Sequence, residues 1–350
     1  MKIGILTFHW ATNYGAVLQC YALQSYLESK GHDVKIINYK PSLYDDNIYS
    51  FIRFRKFLKI SEYLSERKKE SALKSFRSDK LNQTERVYLC NKIEKVASQF
   101  DVIISGSDQV VNPSFLMSGE GKGILTPTYF LGFPFNGKRV GYALSFGCIS
   151  YPDAMRPIAE RYIKDFDVVT VRENTGVGIV ESFGRTDAVV VPDPTLLMPP
   201  QFYQSLADKC LTLRELPYIY SFFIRNIKER KEAINDLFTS SRILWNNDDG
   251  DYTMQGWLNK IKNADFVITD SFHCVVMCLK LHKKFYVITE HDGNVGMNDR
   301  LYSLLGKLSL TYRIVHKTKV SSIDASISID WQSIDDLILH NNNVINDILN

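Results

Sequence analysis

Residues 265–289 read DFVITDSFHCVVMCLKLHKKFYVIT, and the fold class follows from that stretch. The apolar run ending at Thr269 suits a strand buried on both faces of a parallel sheet. Asp270 and Ser271 stop the run, and both are good helix N-cap residues. SFHCVVMCLKL at 271–281 has the apolar content of a buried helix, and KFYVIT at 284–289 supplies a second strand. Parallel strands need a crossover between them, so the stretch predicts a β-α-β unit.

The same rhythm extends outward. Upstream, strands are expected at YIYSFFI (218–224) and SRILWN (241–246), with helices at 227–239 and 254–263. The chain opens with KIGILTF (2–8), a helical period over 16–30 closed by Gly31, and VKIINY (34–39). DVIISG (101–106), KRVGYALSFG (138–147), a helix over 151–165 and FDVVTVRE (166–173) follow. AVVVPDP (188–194) reads as a strand in which Val189, Val190 and Val191 are buried. The expected fold class is α/β, with two Rossmann-like doubly wound domains facing a cleft.

The Pro-rich segment VPDPTLLMPP puts the domain boundary near 188–200. We assign 1–187 to the first domain, 188–330 to the second, and 331–350 to an amphipathic C-terminal helix packing back on the body. Residues 41–100 break the rhythm. Their FIRFRKFLKISEYLSERKKE (51–70) predicts an amphipathic helical excursion on the edge of the first domain. A lid and a basic helix facing a membrane surface are the other readings.

Composition narrows the function classes. The 350 residues are 45% hydrophobic and 23% charged, the profile of a globular protein. A net charge of +3 is too small to argue for a nucleic-acid partner. The opening MKIGILTF lacks the long apolar region and cleavage site of a secretory signal, and no run reaches the roughly 18 apolar residues that span a bilayer. The expected location is cytoplasmic, with peripheral contact at the inner face of the cytoplasmic membrane as a further reading. Cys20, Cys90, Cys148, Cys210, Cys274 and Cys278 are expected to be small buried apolar residues, and no metal site is expected.

Five constellations could carry chemistry, each where a strand ends. In ITDSFH a helix begins at Ser271, and free amides with the helix dipole there suit an anion. His273 lies in that first turn, placed to donate a proton or hold an oxyanion; a satisfied core histidine is the plainer alternative. In SGSDQ, Gly106 lets the backbone turn between Ser105 and Ser107, and Asp108, followed by Gln109, can orient or deprotonate a hydroxyl. An ordinary capped loop would read the same. In TVRE, Arg172 offers a planar fork for carboxylate or phosphate, or pairs with Glu173 on the surface. Asn13 and Gly15 mark a turn before the first helix that could bring amides to a ligand or be only a tight turn. In GNVGMNDR (293–300), Arg300 could reach an anion near His273 or sit on the surface.

Taken in order, TNYGAVLQCYAL, SGSDQVVNP, YALSFG, VRE, DPTLL, TDSFHCVVMCLKL and NDRLYSLL resemble the signature blocks of the polysaccharide pyruvyltransferase family. The resemblance is spread over residues 1–305. It implies a GT-B-like fold and an enzyme that needs no metal or cofactor, with phosphoenolpyruvate as co-substrate. The pyruvyl unit would pass to a hexose diol of a sugar or lipid-linked oligosaccharide in bacterial exopolysaccharide synthesis, forming a cyclic ketal and releasing phosphate. The first domain would be the acceptor side and the second the donor side.

The family's helix-start histidine falls on His273 and its anion-binding arginine on Arg172. Val111 stands where an aromatic residue is common, and Ser271 where some members carry arginine, so Arg300 is expected to supply the missing cation. Ser271, Phe272, Arg172 and Arg300 would then hold the donor, His273 would protonate it, and Asp108 would orient the acceptor hydroxyl. A GT-B-like glycosyltransferase using a nucleotide sugar is the nearest alternative. A non-catalytic glycan- or anion-binding protein is the alternative of another class.

Overall fold

The computed structural model describes residues 1–41, 60–117, 126–225, 228–290 and 298–341. The chain divides after Leu197 into two compact units, each with its own parallel sheet. The first unit runs β1 (Lys2–Leu6), α1 (Tyr14–Ser29), β2 (Asp33–Ile36), α2 (Ile60–Lys80), α3 (Ile93–Ala97), β3 (Val102–Ser105), α4 (Pro113–Met117), β4 (Lys138–Leu144), α5 (Arg156–Ile163), β5 (Val168–Val171), α6 (Asn174–Ser182), β6 (Val189–Val190) and α7 (Pro194–Leu197). Its strands lie in the order β2-β1-β3-β4-β5-β6. Ile3, Ile5, Ile103 and Val140 are buried, as apolar central strands covered on both faces require.

The edge strand β6 corrects two expectations. Only Val191 of the Val189–Val191 run is fully buried, and Val189 is 49% exposed, because an edge strand has a neighbour on one side only. The strand also pairs with β5, and α7 packs on α1, so the break falls after Leu197 rather than after residue 187.

Within the excursion, Ile60–Lys80 and Ile93–Ala97 are helical, and the chain between them is extended or irregular until a short turn at Cys90–Lys92. Helix α2 packs on α1 through Phe76, whose ring meets Tyr21 edge-on at 5.6 Å. Gln24 Nε2 donates to the Lys80 carbonyl (3.2 Å). The chain then bridges the end of β2 through Ile36–Gln83 and Tyr39–Val87. Residues 42–59 of the expected excursion lie outside the described residues.

The second unit runs α8 (Pro200–Ala207), β7 (Ile219–Phe222), α9 (Lys228–Leu237), β8 (Ile243–Trp245), α10 (Met254–Asn263), β9 (Phe266–Thr269), α11 (Phe272–Lys280), β10 (Phe285–Thr289), α12 (Asp299–Lys307), β11 (Ile314–His316) and α13 (Trp331–Asn341). Its strand order is β11-β10-β9-β7-β8. Helix α13 packs within this unit. Ile334 and Ile338 are buried, and Trp331 stacks on His282 with ring centres 5.1 Å apart. Residues 342–350 of the expected C-terminal helix lie outside the described residues.

Both sheets are doubly wound, and two such units in tandem are the components of the GT-B-like class. Strand order reverses between β1 and β3 in the first sheet and between β7 and β9 in the second. Open α/β sheets bind ligands outside the carboxyl ends of their strands at such reversals. Among the described residues no helix is long and apolar enough to cross a membrane.

Candidate active site

In the second unit the β9–α11 turn is built by short polar side chains. Thr269 Oγ1 donates to the Phe222 carbonyl on β7 (2.6 Å) and accepts from the Ser271 amide (3.0 Å). Ser271 is the N-cap of α11, its Oγ accepting from the Cys274 amide (3.3 Å). The opening amides of a helix lack helical carbonyl partners and carry the positive end of its dipole. His273 is the second residue of α11 and is 6% exposed. Its ring meets Phe272 edge-on at 5.3 Å, and the Arg300 guanidinium lies 5.5 Å from the centre of the Phe272 ring. The structure thus brings Ser271, Phe272, His273 and Arg300 together.

Asp270 does not cap α11. Its Oδ1 accepts from the Ile224 amide (2.7 Å), and its Oδ2 accepts from the Arg225 amide (3.1 Å) and Arg230 Nη1 (2.9 Å). The carboxylate therefore ties the end of β9 to the loop after β7, across the strand-order reversal. Arg230 also pairs with Glu290, which in turn holds Lys317 at 3.0 Å.

In the first unit a second polar cluster joins the ends of β3, β5 and β6. Ser105 Oγ donates to the Tyr129 carbonyl (2.5 Å). Gly106 has φ +128°, and a Cβ there would stand 2.0 Å from the Tyr142 carbonyl oxygen, so only glycine fits. The Ser107 amide donates to Gln19 Oε1 (3.3 Å), and Gln19 Nε2 donates to Thr7 Oγ1 (3.0 Å), which links the loops after β1 and β3. Ser107 Oγ donates to Asp193 Oδ2 (3.1 Å). The half-buried Asp108 accepts from the Gln109 amide (2.8 Å), and Gln109 Oε1 accepts from Asn112 (2.7 Å). Asn13 caps α1, accepting from the amides of Gly15 (2.8 Å) and Ala16 (3.3 Å).

Arg172 lies in the same cluster, 4% exposed. Its Nη1 donates to Asp193 Oδ2 at 2.8 Å, and its Nε is 3.8 Å from Glu173 Oε2. Burial opposes its charge, but Asp193, Glu173 and Asp108 outweigh that and raise its pKa above the ordinary arginine value. Asp193 also accepts from the amide and hydroxyl of Thr195 (3.0 and 2.6 Å), and Glu173 from Ser145 Oγ and the Phe146 amide (2.8 and 2.9 Å).

Residues 13–292 match the family model described as polysaccharide pyruvyl transferase. The chain belongs to that family.

No curated protein sequence matches the chain significantly. Among solved structures, the chain is similar to the UDP-GlcNAc 2-epimerase of Methanocaldococcus jannaschii, with 12% identity and a TM-score of 0.46, covering 98% of this chain and 93% of that one. The Neisseria meningitidis UDP-GlcNAc 2-epimerase gives 9%, 0.44, 100% and 99% on the same measures. An E. coli heptosyltransferase with ADP gives 10%, 0.37, 92% and 100%.

The expected site residues of this family member fall into two sets. Ser271, Phe272, His273 and Arg300 gather in the second unit, while Asn13, Gly15, Ser105, Gly106, Ser107, Asp108, Gln109 and Arg172 belong to the first. The carboxylate contact expected for Arg172 is made by the protein's own Asp193, and Arg172–Glu173 is a buried rather than a surface pair. Residues 291–297 of the loop before Arg300 lie outside the described residues. Sequence reading missed Gln19, Asp193, Arg230 and Glu290. Asp193 carried a local signal, an acidic residue two before Thr195 at a strand end; Arg230 and Glu290 carried none.

All six cysteines are free thiols. Cys20, Cys274 and Cys278 are buried as expected, and burial raises the Cys278 thiol well above its ordinary value. Cys90, Cys148 and Cys210 are only half-buried, and Cys210 Sγ donates to Asp251 (3.3 Å).

Proposed function

We propose that this family member transfers the pyruvyl unit of phosphoenolpyruvate to a hexose diol of a sugar or lipid-linked oligosaccharide, forming a cyclic ketal and releasing phosphate. The observation that carries the reading is the grouping of His273 and Arg300 at the start of α11 in a chain that matches the family over residues 13–292. The anionic donor is assigned to the amides of that helix start and to the Arg300 guanidinium.

His273 delivers a proton to the methylene carbon of the donor. The π electrons form that C–H bond, and positive charge develops at the neighbouring carbon, where a sugar hydroxyl adds. The C–O bond to phosphate then breaks, phosphate leaves with the electron pair, and the second hydroxyl closes the ketal. Of the two hydroxyl protons lost, one balances the proton given to the methyl group and the other leaves with phosphate. Asp108, at the carboxyl edge of the first sheet, is assigned to orienting the acceptor hydroxyl. Arg172 is assigned as a strut that fixes the loop carrying Asp108 through Asp193 and Ser107.

The test is phosphate release with phosphoenolpyruvate and a panel of galactosides, glucosides and mannosides, with the product's ketal identified by mass and NMR. Acceptor-dependent phosphate release supports the reading. Sugar transfer from a nucleotide sugar, with none from phosphoenolpyruvate, would replace it with a glycosyltransferase.

A further inference from the structure

A pocket of about 500 Å3 opens in the first unit between the carboxyl ends of β1 and β2 and the helix α2. It uses no residue of α11. Arg67, Glu70, Ser71, Lys74 and Arg77 line it at helical spacing, so one face of α2 forms a wall. Lys40 and Arg86, from the chain beyond β2, line it as well, with Arg86 Nη2 donating to the Lys40 carbonyl (3.2 Å). Among the described lining residues five cations meet one carboxylate. That carboxylate, Glu70, is engaged by Arg77 (2.5 Å) and by the Thr12 hydroxyl (2.7 Å). Trp10 adds an aromatic plane at the end of β1, with Lys40 Nζ 5.9 Å from its ring centre.

We propose that this pocket binds the diphosphate of a diphosphate-linked sugar, carried either on a nucleoside or on a lipid. The volume lies within the range of pockets that enclose small ligands, roughly 300–1,000 Å3. Cations from α2 and from the chain after β2 give it two positive walls, one for each phosphoryl group. Trp10 offers a face to the ring or chain beyond them. Cations converging in one cavity suit a compact polyanion; a nucleic-acid backbone would need an extended basic track. His9, held near pKa 4 by burial, adds no charge to the pocket at neutral pH. The assignment stands whichever donor is used at α11.

The test is calorimetric titration of the full chain with pyrophosphate, uridine diphosphate, farnesyl diphosphate, inorganic phosphate and phosphoenolpyruvate. The comparison protein is the Arg67→Ala/Lys74→Ala double variant, whose exposed side chains can be removed without opening the core. The diphosphates should bind more tightly than inorganic phosphate and weaken roughly 100-fold in the double variant, about tenfold per charge-assisted contact. Phosphoenolpyruvate affinity should stay unchanged. A preference for uridine or farnesyl diphosphate then identifies the carrier. No diphosphate binding, binding equal to that of inorganic phosphate, or binding unaffected by the double variant overturns the proposal. So does a loss of phosphoenolpyruvate affinity in that variant, which would make the pocket a donor site. Absence of phosphoenolpyruvate binding to the wild type bears only on the α11 reading.

Discussion

The Arg300 guanidinium stands 5.5 Å from the centre of the Phe272 ring, which itself meets the His273 imidazole edge-on. A cation from the first turn of α12 is thereby set beside the first turn of α11. One helix N-terminus supplies about half a unit charge, too little for a small ligand with several negative charges.

Arg300→Ala should therefore weaken phosphoenolpyruvate binding by roughly 2 kcal/mol or more, about thirtyfold. Arg300→Lys should recover part of it, since the charge is kept and the planar fork lost. A donor titration of both variants checks this. Wild-type affinity in Arg300→Ala would remove Arg300 from the site.

Arg172 and Asp193 should behave as structure. Removing one member of a buried ion pair leaves an uncompensated charge, at a cost of about 3–5 kcal/mol. Arg172→Ala should lower the unfolding free energy of the first unit by about that amount, and replacing both residues with apolar ones should cost less than the sum of the single changes. Urea unfolding followed by circular dichroism measures it. A change under about 1 kcal/mol in Arg172→Ala would contradict the strut assignment.

Gly106→Ala should destabilise by at least about 2 kcal/mol, because the new methyl meets the Tyr142 backbone carbonyl and the backbone stands at φ +128°. The neighbouring Ser107→Ala removes only one hydrogen bond, to Asp193, and should cost about 1–2 kcal/mol. Thermal unfolding of the two variants compares them. Equal or reversed costs would mean that the loop relaxes around residue 106.

His9 gives the pH dependence a local component. Burial pulls its pKa from 6.5 to about 4, opposed by its hydrogen bonds to Asn38 and Thr7 and assisted by the nearby charges of Arg77 and Lys40. The folded ring is neutral where the unfolded one is already protonated. Stability is thus fully present above pH about 6.5 and falls as pH drops toward 4, by roughly 3 kcal/mol in total from this group. His9→Gln should flatten the wild-type slope in that window, and an unchanged slope would show that His9 protonates without cost.

Much of the fold was legible because its signals are local. The apolar run of β9, its stop at Asp270-Ser271 and the cap at Ser271 lie within a few residues of one another, and α10 spans the expected 254–263. The role of Asp270 was not legible. Asp and Ser have similar cap preference, and the choice is made by Ile224, Arg225 and Arg230, at least 40 residues upstream. Asp193 likewise takes its partners from Arg172 and Ser107, 21 and 86 residues away. Val189 was misread because an apolar run looks alike in central and edge strands. The charges of α2 read only as part of an amphipathic helix on the domain edge, and the placement of β1 and β2 beside them makes a pocket.

The central claim is that His273 is the proton donor in pyruvyl transfer, and the most direct measurement is acceptor-dependent phosphate release by the wild type and His273→Ala, with donor affinity measured in parallel. The account predicts that turnover falls by about 10²–10⁴-fold in the variant, while phosphoenolpyruvate binding changes little. Full turnover in His273→Ala, or no acceptor-dependent phosphate release by the wild type, would contradict it.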